Sequence, residues 1–104
     1  MFVYCKEAHP IDSTRPSPIA TVEQPVTLKE RRNVAKDFVE EFKLPFPSLL
    51  DTMDDTTGLA YAAHPDRMYL VGKDGLVAWA GEKGPKGFSA ELLETAIKKE
   101  LTPK

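Results

Sequence analysis

Cysteine is almost missing from this chain: Cys5 is the only one in 104 residues. A single thiol excludes an internal disulfide, a CxxC pair and a resolving thiol within the chain, so any redox cycle needs a second group from elsewhere. An excess of one charge is missing too, because 14 basic and 16 acidic residues are interspersed for a formal net charge of −2. That balance offers no basic field for nucleic acid and no polybasic segment for a membrane surface. No apolar run approaches a membrane span, and Phe2 follows Met1 without the charged and apolar regions of a signal peptide. The expectation is a cytoplasmic chain with neither nucleic acid nor membrane as partner. Its length and 41% hydrophobic content suit one domain, residues 1–104, with one modest core.

What is present is a series of short elements. Residues 2–6 read as a buried strand, apolar on both faces, that ends in the polar cluster Glu7-Ala8-His9-Pro10. Pro10, Pro16, Pro18 and Pro25, with Ser, Thr and Asp between them, make the next stretch an ordered loop or lid. Thr27-Leu28-Lys29-Glu30 has the spacing of a capping box, with Glu30 reaching back to the cap. Leu28, Ala35, Phe38, Val39 and Phe42 then form the apolar side of a helix that Pro45 stops, with Lys29, Arg32, Lys36 and Glu40 opposite. Residues 46–50 follow as a short strand, which completes a parallel βαβ unit with a right-handed crossover.

A short helix over residues 57–63 has to end at His64, because Pro65 forbids helix there and leaves the His64–Pro65 bond open to cis. Residues 68–71 and 76–80 are rich in β-branched, aromatic and long apolar side chains, and Asp74-Gly75 between them supplies the positive φ of a tight hairpin turn. Ser89 caps a last helix with Leu92, Leu93, Ala96, Ile97 and Leu101 on its apolar face. Strand, helix, strand, short helix, hairpin and helix predict an α/β sandwich built on one mixed sheet.

Glu7 and His9 share parity at the carboxyl end of a parallel strand, where α/β sheets carry ligands and catalysts, and are placed to share a proton. The competing reading is a polar loop without chemistry. Cys5 reads as a core thiol, since mid-strand it has neither a helix N-terminus nor an adjacent cation to lower its pKa. Cys5, Glu7, His9 and Asp12 lack the second ligand pair of a metal site, so no metal and no cofactor is expected. Residues 81–87 precede a helix but lack the spacing of a phosphate loop, and Met68, Tyr69, Trp79 and Phe88 are expected in the core.

Val3-Tyr4 with Glu7-Ala8-His9, Asp51-Thr52-Met53, Pro65 with Arg67 and Tyr69, Gly81 and Gly84-Pro85 occur in this order across nearly the whole chain. With these words the chain resembles the thioredoxin-like superfamily and, within it, the iodothyronine deiodinase family. The resemblance implies a thioredoxin-like mixed-sheet sandwich, truncated at its N-terminus, lacking the strand, Cys or Sec nucleophile and helix that precede residues 2–6 in that family. It implies supporting catalytic roles for Glu7 and His9, and a substrate-binding role for Pro65 and Arg67. The family's tryptophan after the Glu-Ala-His word has no counterpart in Asp12-Ser13-Thr14, nor its second histidine in Glu23-Gln24-Pro25. The expected function is a redox domain that is inactive as it stands. The alternative is a non-catalytic binding or assembly module that completes its sheet as a homodimer or with a partner's strand, residues 2–6 moving beside the hairpin being the internal solution; a small hydrolase or isomerase built on Glu7 and His9 is a third.

Overall fold

The computed structural model describes residues 1–18 and 21–103. Of the loop expected over residues 10–25, Ile19 and Ala20 lie outside the described residues. The chain divides into two compact units, Met1–Tyr61 and Ala62–Lys104.

In the first unit β1 (Phe2–Tyr4) leads through the proline-rich loop to α1 (Leu28–Phe42), then β2 (Ser48–Leu50) and α2 (Thr56–Ala60). β1 and β2 pair in parallel, with Phe2 opposite Ser48 and Tyr4 opposite Leu50. Phe2 N–H donates to the Pro47 carbonyl and Asp51 N–H to the Tyr4 carbonyl, each at 2.9 Å, so the ladder runs one residue past the strand at both ends. The start of α1 follows the capping-box pattern with one change of partner. The Thr27 hydroxyl accepts from Glu30 N–H at 3.1 Å, but the Glu30 carboxylate reaches the Val26 amide at 2.8 Å rather than that of the cap. At its other end Lys43 adopts the left-handed conformation, φ 50°, and donates to the Glu40 and Val39 carbonyls, so the helix closes before Pro45. Phe38 stacks on Phe2 at 5.5 Å between ring centroids and tilts against Phe42 at 4.7 Å, which docks the helix on β1.

The second unit is a hairpin and a helix. β3 (Tyr69–Val71) and β4 (Val77–Ala80) are antiparallel, with a register shift between Leu70 and Val71, and α3 (Ala90–Leu101) starts at Ser89, whose hydroxyl accepts from Leu92 N–H. Gly75 takes φ 82°, and the Asp74 carboxylate accepts from Leu76 N–H at 3.0 Å, which together close the turn expected at this pair. His64–Pro65 and Gly84–Pro85 are cis.

Within the first unit the sheet has two strands, β1 and β2, and within the second it has two, β3 and β4. Each pairing is local: a crossover helix joins the parallel pair, and the Lys73-Asp74-Gly75 turn, closed by the bonds from Gly72 N–H to Leu76 and from Gly75 N–H to Gly72, joins the antiparallel pair. One expectation is corrected, and it concerns burial. Of the large hydrophobic side chains among the described residues only Tyr4 is buried; Phe2 and Val3 are half-buried, and Phe88 is exposed.

Candidate functional site

The buried charged side chains among the described residues, Arg31 and Asp51, meet just beyond the end of β2. Asp51, 2% exposed, follows β2 directly, and its carboxylate accepts from the amides of Thr52, Thr57 and Gly58 at 2.9, 2.9 and 2.8 Å. Burial alone would raise its pKa, but the amides of Gly58, Thr57 and Thr52 outweigh it, and the carboxyl sits below its ordinary value. The group is thus a fixed anion over the start of α2.

Arg31 approaches the same turn from α1, also 2% exposed. Its guanidinium donates to the Asp51 carbonyl at 3.2 Å and the Thr52 carbonyl at 2.7 Å, and pairs with Asp55 at 3.4 Å. Exposed Asp54 is held below its ordinary value by the hydroxyls of Thr52 and Thr56.

Tyr4 and Glu7 stand at the end of β1. The Tyr4 hydroxyl donates to the Glu7 carboxylate. Burial, then the hydrogen bond and charge of Glu7, push the phenol far above its usual range, so Tyr4 stays a protonated donor. Gln24 fixes the backbone of Glu7 from both sides: Glu7 N–H donates to its Oε1 at 3.1 Å, and its Nε2 donates to the Glu7 carbonyl at 2.9 Å. His9 is exposed, with Nδ1 3.0 Å from the Arg15 carbonyl. A carbonyl only accepts, so Nδ1 carries the hydrogen and Nε2 is the ring's basic position. β1 stops at Tyr4, so Glu7 and His9 lie three and five residues beyond it, each with a partner of its own. Cys5, directly after Tyr4, is half-buried, and burial followed by the charge of Asp51 raises its thiol pKa.

Pro65 and Arg67 belong to the second unit. Arg67 donates to the Ala62 carbonyl at 3.3 Å and lies 4.0 Å from the exposed Glu82 carboxylate. Its Nε is buried without a partner among the described residues. No group of three His, Cys, Asp or Glu side chains suited to a metal occurs among the described residues, and no described helix is long and apolar enough to cross a membrane.

The family model for iodothyronine deiodinase matches residues 1–101. The chain belongs to the iodothyronine deiodinase family. It is 29% identical over 99 residues to a type I iodothyronine deiodinase of Xenopus laevis, 95% of this chain and 38% of that protein. It is 31% identical over 96 residues to a thyroxine 5-deiodinase of Gallus gallus (91% and 36%), and 32% identical over 102 residues to one of Sus scrofa (95% and 32%). The chain thus spans about a third of the length of the curated relatives it matches.

In this deiodinase-family chain, sequence reasoning missed Arg31, Gln24 and the hydroxyl of Tyr4. Arg31 had a readable signal. It lies three residues after Leu28 and four before Ala35, on the apolar stripe of α1, where an arginine needs carbonyl partners to be buried. Asp51 was recognised only as part of a family word, because the amides it caps are six and seven residues further on. Nothing local marks Gln24, whose partner lies 17 residues upstream.

Proposed function

We propose that this chain is part of a deiodinase-like redox domain of thioredoxin-like type, in which it supplies proton handling and substrate contacts to a Cys or Sec nucleophile lying outside these 104 residues. The observation that carries the reading is the Tyr4–Glu7 hydrogen bond at the carboxyl end of β1, with His9 two residues on. Reductive deiodination exchanges a carbon–iodine bond for a carbon–hydrogen bond, which takes a soft nucleophile for the iodine and a proton for the carbon. Glu7 and His9 are side chains able to hold and pass that proton, while Tyr4, which stays protonated, holds Glu7 in place. Cys5 is a poor candidate for the nucleophile, since its raised pKa leaves little thiolate near neutral pH. Arg67 serves a carboxylate or phenolate of the substrate, its link to exposed Glu82 being too long and too solvated to hold it back.

The test is release of iodide from thyroxine with dithiothreitol as reductant. The 104-residue chain is expected to show none above the thiol background. A product extended by the in-frame sequence before Met1 is expected to turn over, with Glu7→Gln or His9→Asn lowering kcat by about 10²–10⁴-fold. Iodide release by the 104-residue chain that disappears on alkylating Cys5 would overturn the assignment.

A further inference from the structure

The free edge of β2 opens on a groove that the redox reading leaves unused. In a parallel ladder alternate residues turn both backbone groups to the same side. The bonds from Phe2 N–H to Pro47 and from Asp51 N–H to Tyr4 set the phase, so Leu49 faces β1 while Ser48 and Leu50 direct their N–H and C=O groups to the opposite edge. No strand among the described residues pairs there. Along this edge lies a groove of about 400 Å³, walled by Arg32, Ala35, Lys36, Val39 and Glu40 of α1 and floored by the three residues of β2. Leu49 is 52% exposed in it.

We propose that this groove binds an extended acidic peptide segment of a partner protein, added as a third strand beside β2. Backbone groups two residues apart, at Ser48 and Leu50, are the ladder such a strand requires, and Ala35, Val39 and Leu49 receive its inward side chains. Charge selects the occupant. Arg32 and Lys36 have no ion pair among the described residues, and with Glu40 they leave the groove net positive. A two-fold pairing with a second copy would set that excess against itself, whereas acidic residues on a strand neutralise it. The inference is independent of the redox reading.

The probe is the fluorescein-labelled peptide Glu-Val-Thr-Val-Glu-Val-Thr, titrated with the 104-residue chain and followed by anisotropy. Saturable binding is expected, with slowed exchange of the Ser48 and Leu50 amides in the complex. Lys36→Glu, on the exposed face of α1, should weaken binding about tenfold. The peptide with lysine in place of glutamate should regain affinity for that variant, and Ser48→Pro should abolish binding by removing an edge N–H. Equal binding of the acidic and basic peptides to wild type, no binding at all, or a dimer whose β2 amides are already protected would each overturn the proposal.

Discussion

Arg31 and Asp51 hold the turn between β2 and α2 from opposite charges without pairing with each other. Arg31 ties down the carbonyls at its start, while the Asp51 carboxylate collects the amides at its end. Arg31→Met keeps the stem but leaves those carbonyls without their donor, and the expected loss is about 3 kcal/mol in urea unfolding. Asp51 adds a pH dependence whose sign follows from its lowered pKa. Its contribution is fully present above the carboxylate's unfolded value and is lost as pH falls through the lower folded value. Asp51→Asn should therefore be less stable than wild type at neutral pH, and the gap should close under acid conditions; a constant gap across acid pH would refute the assignment. Cys5 belongs to the same neighbourhood. With burial and Asp51 both raising its pKa, its iodoacetamide alkylation near neutral pH should be slower than that of free cysteine.

Elements were legible in the sequence where their signals are local. Thr27 and Ser89 mark the helix starts and Asp74-Gly75 the hairpin turn; each acts within a few residues of itself. The short helix expected over residues 57–63 instead spans Thr56–Ala60, so it ends at its Tyr61 cap before Pro65 can act on it. Strand lengths were less legible, because apolar runs such as residues 2–6 continue past the point where a partner strand stops. Residues 81–87 form the strand-to-helix connection expected of them. Gly87 N–H donates to the Lys83 carbonyl at 2.9 Å, and a Cβ at Gly87 would stand 2.5 Å from that same oxygen and 2.6 Å from the Glu82 carbonyl carbon. Both obstacles are backbone and cannot swing aside. Gly87→Ala should therefore cost about 1–3 kcal/mol, read as a lower Tm, by pushing the turn off the start of α3.

At the scale of the whole molecule, the grouping of strands was the least legible feature, since it depends on which edges meet rather than on any one segment. The strands pair within their own units, and apolar side chains of the second unit remain open, among them Val71, Leu76, Val77, Leu92 and Leu101. There α3 packs on both strands of the hairpin, the helix support that a two-stranded sheet requires. The 104-residue chain should bind the dye ANS without denaturant. Amides of β3 and β4 should exchange faster than those of β1, which has Tyr4 buried beside it. No dye binding and uniform protection would mean that the isolated chain buries these residues after all.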